Sequence, residues 1–186
     1  RPSEYPAPEI MKIVAVIPAR MASSRFPGKP MAPIHNMPMI GHCYCRVRLC
    51  DALSDTYVAT CDEEIFDYIE SIGGKAVMTA HHHEMCNDRV VEAVKIIENE
   101  KLIKFDIVVN IQGDLPMIFP DMVDELIKPI IQEKNISTTT MMDEVKTLEE
   151  FLDPNRVKVI IDLHNNAIMV TREPVPSRHK FNHQYK

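Results

Sequence analysis

Glycine is scarce in this 186-residue chain, which contains five glycines against 14 prolines. The five are Gly28, Gly41, Gly73, Gly74 and Gly113. Loops that bind dinucleotides or nucleoside triphosphates through the backbone need several glycines within one short stretch, and no such spacing occurs here. Any phosphate site in this protein must therefore be built differently.

Long apolar runs and an excess of positive charge are also lacking. Apolar residues make up 45% and charged residues 26% of the chain, a balance that excludes disordered, collagen-like and membrane-spanning proteins. The 21 Lys and Arg residues stand against 27 Asp and Glu residues, giving a net charge of −6. No basic stripe interrupts this balance, so we expect a soluble globular protein with neither a membrane nor a nucleic acid as partner.

The cysteines are few, odd in number and without a CxxC spacing. This usage predicts reduced thiols and a cytoplasmic location. Cys43, Cys45 and Cys50 fall on one predicted helix and are interpreted as packing residues, and Cys61 is interpreted as an exposed thiol. The histidine tract at 81–83 is assigned no metal, because adjacent loop residues do not set up tetrahedral coordination.

Short β-branched segments alternate with amphipathic ones along the chain, which is typical of βαβ units and a mostly parallel sheet. Strands are predicted at residues 12–17, 56–60, 75–78 and 106–111, and helices at 38–52, 63–72, 88–100 and 121–134. The last third predicts strands at 137–142, 157–162 and 167–171, as a mixed sheet edge or an appended hairpin. We expect a single α/β domain over residues 11–186, preceded by an extension or expression remnant at 1–10.

Ligands of open α/β sheets bind beyond the carboxyl ends of the strands, so the loop after the first strand is the first candidate site. It reads PARMASSRFPGKP and carries Arg20, Arg25 and Lys29. Two planar guanidinium groups and one ammonium, together with exposed backbone N–H groups, suit a triphosphate. The alternative is a solvated basic loop.

The second candidate is NIQGDLP, which lies at the end of the strand predicted at residues 106–111. Gly113 would let the backbone approach a ligand closely, and Asp114 would present a carboxylate at the same edge of the sheet. A hard cation such as Mg²⁺ could join this carboxylate to phosphate oxygens. The alternative is that Asp114 caps the helix that follows.

Together with these two stretches, the segments MPMIGHCYCRVR, YVATCDEEI, VMTAHHHEMCNDR, DPNRVKVIID and TREPVP resemble the 3-deoxy-manno-octulosonate cytidylyltransferase family, the CMP-Kdo synthetases. The resemblance is collinear over about residues 11–178. It implies a Rossmann-like, GT-A-like nucleotidyltransferase fold, a three-layer sandwich with a mostly parallel mixed sheet. It also implies transfer of CMP from CTP to an acidic sugar, with Mg²⁺ as cofactor and pyrophosphate released, for lipopolysaccharide or surface glycan synthesis, and it allows a homodimer.

The same resemblance implies roles for seven residues. Arg20, Lys29 and Asp114 would be catalytic. Arg20, Arg25, Lys29, Arg89 and Gln112 would bind the nucleotide, Gln112 and Arg172 the sugar, and Asp114 the Mg²⁺.

The chain departs from the family pattern in four places. Cys61 stands where relatives have Asp, the pair Met85 and Cys86 replaces Ser-Gly beside the base and ribose, and Leu115 replaces Glu. The relatives also continue beyond residue 186, with a second metal-binding Asp, much of the acidic-sugar pocket and part of the dimer contact. Two alternatives therefore stay open: transfer to another acidic acceptor, such as a nonulosonic-type acid or a phosphonate, and a non-catalytic nucleotide-binding module.

Overall fold

The computed structural model describes residues 11–22 and 26–176, which fall into two compact units, Arg1–Thr139 and Thr140–Lys186. The single domain expected over residues 11–186 stays a prediction. In the first unit the elements are β1 (Ile13–Ala19), a 3-10 turn (Lys29–Met31), β2 (Pro33–Ile34), β3 (Met37–Pro38), α1 (Met39–Val47), β4 (Asp55–Thr60), α2 (Glu63–Ser71), β5 (Ala76–Met78), α3 (Cys86–Lys101), β6 (Ile107–Asn110) and α4 (Pro120–Gln132).

Four of these strands form one sheet in the order β5-β4-β1-β6, and every pairing in it is parallel. All seven residues of β1 are buried, as expected for an uninterrupted β-branched run covered on both faces. Ala19 pairs with Thr60 of β4, and Val16 pairs with Asn110 of β6. After β1 the chain adds β4 and β5 on one side of that strand, and it later adds β6 on the other side of β1. The strand order therefore reverses at β1.

Helices cover both faces of the sheet. Helices α1, α2 and α4 pack on one face, where Ile40, Ile65 and Ile127 join the core around Ile17 of β1. Helix α3 packs on the other face through Val90, Ala93 and Ile97 against Val14 and Val16. These are the three layers of the predicted α/β sandwich, and that prediction is confirmed.

The largest departures from the predicted elements in this unit lie near α1. The 3-10 turn lies in a stretch predicted as loop, and the unpredicted hairpin of β2 and β3 follows it and includes Pro38, which was predicted as helical. The predicted helix at 38–52 ends at Val47. Beyond it, the Leu49 and Cys50 amides donate to carbonyls three residues back, as in a turn, and no longer to carbonyls four residues back. In the described part of the chain, no helix is both long and apolar enough to span a membrane.

The second unit contains α5 (Leu148–Leu152), β7 (Lys158–Ile161) and β8 (Ala167–Thr171). Helix α5 begins with a capping box in which Thr147 and Glu150 exchange side-chain to backbone hydrogen bonds. Strands β7 and β8 pair as an antiparallel hairpin. A hairpin was one of the two arrangements predicted for this part of the chain, the other being a mixed sheet edge. The strand predicted at residues 137–142 is wrong. That segment is largely exposed and pairs with no described strand, and threonine-rich sequence without a partner does not form a sheet.

Candidate functional site

A cleft of about 290 Å³ opens at the carboxyl ends of β1 and β6, at the reversal of strand order. This is where open α/β sheets bind ligands. Five of the predicted site residues line it: Arg20, Lys29, Arg89, Gln112 and Asp114. The structure therefore brings together residues that lie up to 94 positions apart in the sequence.

A lysine and an aspartate face each other in the cleft. Lys29 Nζ donates to Asp114 Oδ2 at 2.5 Å, and the two side chains are 38% and 48% exposed. An ion pair this open to solvent contributes only about 0–1 kcal/mol to stability, so the fold does not depend on it. The predicted alternative for Asp114 as a helix cap is wrong, because α4 begins at Pro120 with Phe119 at its N-cap.

Two glycines shape the loops that carry this pair. Gly28 has φ of +73°, a left-handed conformation that glycine adopts without strain, and its N–H donates to the Met21 carbonyl at 2.9 Å. At Gly113 a Cβ atom would lie 2.9 Å from the Pro18 carbonyl oxygen, so only glycine lets the two loops approach this closely. The close approach that Gly113 permits here is between two loops of the chain, and the close approach to a ligand stays a prediction.

The loop after β1 is also tied to the loop after β4. The Met21 N–H donates to Asp62 Oδ2 at 2.8 Å. Cys61, beside it, is buried, so its interpretation as an exposed thiol is wrong. The predicted cation Arg25 lies outside the described residues.

Arg89 is the buried cation of the cleft, with 3% of its surface exposed. Its Nη1 donates to the Thr79 hydroxyl and, at 3.3 Å, to the Ala80 carbonyl. Among the described residues, Nη2 has no hydrogen-bond partner although it is fully buried. A buried guanidinium nitrogen without an acceptor costs about 1–3 kcal/mol, so Arg89 is suited to receive an anionic or carbonyl oxygen from a ligand.

Gln112 and Cys86 line the cleft and belong to a network of amide side chains and one thiol. Gln112 Nε2 donates to Asn110 Oδ1 at 3.4 Å, and Asn110 Nδ2 donates to Asn87 Oδ1 at 2.7 Å. The exposed Cys86 sulfur accepts weak hydrogen bonds from both Gln112 and Asn110. Met85 and Cys86, the pair that departs from the family pattern, therefore line the cleft itself.

The remaining cysteines do not contribute to this chemistry. Cys43 and Cys50 are buried packing residues as predicted, but Cys45 is exposed, so the packing role expected for it is wrong. Burial raises the pKa of Cys43 and of Cys50 to about 11, which keeps both as neutral thiols. No cluster of three or more His, Cys, Asp or Glu side chains in the described residues is arranged to hold a metal ion.

Arg172 belongs to the second unit. Its Nη1 donates to the Pro154 and Asn155 carbonyls at 3.2 and 3.1 Å. The buried Lys158 in turn donates to the Arg172 carbonyl at 2.8 Å. A sugar-binding role for Arg172 stays a prediction.

Sequence reasoning missed three residues around the cleft: Thr79, His83 and Glu92. Thr79 accepts from Arg89, His83 lines the cleft, and Glu92 hydrogen-bonds to His83. Glu92 follows Arg89 by three positions on α3, so helical spacing alone could have placed both on one face.

The family model of the cytidylyltransferases matches residues 14–186 of this chain. The chain belongs to the cytidylyltransferase family. It is 42% identical over 173 residues to the 3-deoxy-manno-octulosonate cytidylyltransferase of Geotalea uraniireducens, covering 92% of this chain and 66% of that relative. It is 41% identical over 174 residues to the enzyme of the same name from Thermodesulfovibrio yellowstonii, covering 92% and 68%. The chain thus spans about two thirds of the length of these curated relatives.

Solved cytidylyltransferases share its fold. A CMP:2-keto-3-deoxy-manno-octonic acid synthetase in complex with CTP superposes with a TM-score of 0.74 at 32% identity, covering 91% of this chain and 67% of that one. A cytidylyltransferase from Leptospira borgpetersenii superposes with a TM-score of 0.54 at 25% identity, covering 67% and 51%. The family and fold expected from the sequence motifs are confirmed.

Proposed function

We propose that this cytidylyltransferase chain transfers CMP from CTP to 3-deoxy-manno-octulosonate, or to a close acidic relative, with release of pyrophosphate. The observation that carries the proposal is the cleft at the strand-order reversal. There Arg20, Lys29, Arg89 and Asp114 line one cleft, in a chain 42% identical to a protein named for this activity.

The cations of the cleft suit the triphosphate of CTP. Lys29 supplies a point charge, and Arg20 supplies a planar fork that can hold two phosphate oxygens. In this proposal Arg25 contributes to the same loop. Arg89, with its unpartnered Nη2, reaches the nucleotide from α3, and Gln112 lies where nucleotide and sugar would meet.

The reaction needs no protein nucleophile. A hydroxyl oxygen of the sugar attacks the α-phosphorus of CTP, the bond from that phosphorus to the bridging oxygen breaks, and pyrophosphate leaves with the electron pair. The hydroxyl proton passes to solvent or to a nearby base. Most of the catalysis then comes from positioning the reactants and neutralising phosphate charge, which Arg20 and Lys29 are suited to do.

The donor set fits a Mg²⁺ ion that is shared with the nucleotide. Mg²⁺ commonly takes one or two carboxylates and completes its shell with water and substrate phosphates. Asp114 offers one accessible carboxylate beside the phosphate-binding cations, and no cage of several protein ligands forms among the described residues. When bound, Mg²⁺ would neutralise phosphate charge and orient the phosphates for in-line attack.

The biological setting is part of the same proposal. A CMP-activated acidic sugar suits lipopolysaccharide or surface glycan synthesis, which would place the protein in the cytoplasm with the CTP supply. Arg172 would contact the sugar carboxylate, and the protein would act as a homodimer.

Pyrophosphate release tests the proposal against its alternatives. Protein is incubated with CTP, Mg²⁺ and a panel of acidic sugars, and CTP, UTP and ATP are compared for thermal protection. We expect release with 3-deoxy-manno-octulosonate and protection by CTP. Protection without release for any acceptor would favour a nucleotide-binding module, release with a different acid only would change the acceptor, and better protection by UTP or ATP would overturn the cytidine assignment.

A further inference from the structure

Glu92 projects from the second turn of α3 toward the segment 80–83, which borders the cleft. Its carboxylate oxygen Oε2 accepts the Ala80 N–H at 2.9 Å and also pairs with His83 Nε2. The His83 side chain is 12% exposed and the Glu92 side chain 32% exposed. One carboxylate oxygen therefore holds both ends of this short segment.

The same segment presents its carbonyl groups to the two arginines of the cleft. The Ala80 carbonyl accepts from Arg89 Nη1 at 3.3 Å, and the His83 carbonyl accepts from Arg20 Nη1 at 3.4 Å. Arg20 and Arg89 come from different elements, and this segment is their shared support. Since Glu92 does not line the cleft, it can act on a ligand only through these contacts.

We propose that Glu92 is a positioning residue of the nucleotide site: by holding Ala80 and His83, it fixes the carbonyls that orient Arg20 and Arg89. This inference rests on the proposed function, because it assumes that these arginines bind the nucleotide. Two guanidinium groups that are already oriented lose less entropy when a triphosphate binds. Removal of Glu92 should therefore mainly weaken nucleotide affinity.

The electrostatics of the segment agree with this role. Burial acts to raise the pKa of Glu92, but the hydrogen bonds from the Ala80 N–H and from His83 outweigh it and lower that pKa. Glu92 is thus a carboxylate at neutral pH and accepts both hydrogen bonds. The His82 ring lies against the His83 ring, with 4.5 Å between their centroids.

Glu98, two turns further along α3, offers a matched control. It accepts the Phe105 N–H at 3.0 Å and pairs with Lys104, so it makes the same two kinds of contact as Glu92. It lines no part of the cleft, and its partners lie beyond the carboxyl end of α3. Glu98→Ala should therefore lower stability, as Glu92→Ala does, without changing CTP binding in the cleft.

The experiment compares Glu92→Ala, Glu92→Gln and Glu98→Ala by calorimetric titration with CTP and Mg²⁺ and by steady-state kinetics. For Glu92→Ala we expect the Kd and KM for CTP to rise about tenfold while kcat changes less than threefold. Glu92→Gln keeps an acceptor for the Ala80 N–H and should recover most of the affinity. Glu98→Ala should lower the melting temperature and leave the Kd for CTP unchanged.

Two results would overturn the proposal: an unchanged Kd for CTP in Glu92→Ala, or an equal rise in Glu98→Ala. A ligand-free readout separates this inference from the proposed function. In NMR spectra, Glu92→Ala should shift the Nε–Hε signals of Arg20 and Arg89, whereas Glu92→Gln should shift them less and Glu98→Ala should leave them unchanged. If the wild-type protein binds no CTP, the proposed function fails, and unmoved arginine signals would separately refute the role of Glu92.

Discussion

The carboxyl and amino edges of the parallel sheet, where its strands end and begin, each carry a lysine–aspartate pair, and the two aspartates differ in how completely they are enclosed. At the carboxyl edge, Lys29 donates to Asp114 at 2.5 Å and both side chains are more than a third exposed. At the amino edge, Asp55 is 18% exposed and accepts from Lys75 at 2.6 Å. Asp55 also accepts from Lys101 at 3.3 Å and from the Tyr57 hydroxyl at 2.8 Å.

Enclosure decides what each carboxylate can do. Burial acts to raise the pKa of Asp55, but the hydrogen bonds from Lys75, Tyr57 and Lys101 outweigh it and lower that pKa. Both lysines also lie over the Tyr57 ring, at 5.6 and 5.2 Å from its centroid, so the partners of Asp55 also contact one another. Asp114, by contrast, has oxygens open to solvent beside other cations. The same residue types therefore stabilise the fold at one edge and are available to a ligand at the other.

Neutralising each aspartate in turn tests most strongly whether Asp114 and Asp55 have different roles. Asp114→Asn should reduce pyrophosphate release at least about a hundredfold, because it removes the charge that would hold Mg²⁺ at little change in volume. Its melting temperature should stay near that of the wild type. Unchanged turnover in this variant would remove Asp114 from the mechanism.

Asp55→Asn is the matched change at the amino edge. It should leave turnover unchanged and lower the free energy of unfolding by about 1–3 kcal/mol at neutral pH. Because folding lowers the pKa of Asp55, its contribution is present above the unfolded pKa and is lost as the pH falls below about 4. Denaturant titrations of both proteins should converge at low pH, and a constant difference would contradict this account.

A methyl group at Gly113 tests the close approach of the two loops. Gly113→Ala places a Cβ 2.9 Å from the Pro18 carbonyl, so the backbone must shift, at a cost of about 1–3 kcal/mol. We expect weaker CTP binding in addition to the lower stability. Gly73→Ala, at the end of α2, strains a φ of +70° but meets no atom within 4 Å. It should lose stability alone, and equal loss of CTP affinity in both variants would contradict the role of Gly113.

Lysine truncation has a smaller expected effect. Lys29→Ala should raise the CTP concentration needed for half-maximal rate about tenfold, since one phosphate-binding charge is lost. Lys75→Ala, at the amino edge, should not change it. An unaltered CTP response in Lys29→Ala would show that its loop is only structural.

The cysteines give the mildest probe of the cleft. Cys45 and Cys86 are exposed, whereas burial raises the pKa of Cys43 and Cys50 to about 11. At pH 8 a thiol reagent followed by mass spectrometry should modify Cys45 and Cys86 first, and CTP should protect Cys86 alone. Protection of Cys45 instead would place the nucleotide elsewhere.

Sequence predicts those features of this molecule that depend only on a short stretch of residues. The β-branched run of β1, the helical spacing in α2 and the glycine beside Asp114 each carry their own signal. The exposure of Cys45 and the burial of Cys61 depend on neighbours supplied by distant elements. The strand expected at residues 137–142 required a partner that local sequence cannot specify. For Glu92, helical spacing could have placed it on one face with Arg89, but its contacts with Ala80 and His83 could not be read from the sequence.

The central claim is that the nucleotide binds in the cleft at the carboxyl edge of the sheet and not at the amino edge. NMR mapping of CTP binding at both edges tests it most directly. Isotope-labelled protein is titrated with CTP and Mg²⁺ while backbone and arginine side-chain NMR signals are followed. We predict saturable shifts at Arg20, Lys29, Arg89, Gln112 and Asp114, with none at Asp55, Tyr57 or Lys75. Shifts confined to the amino edge, or no saturable shift at the cleft, would contradict this account.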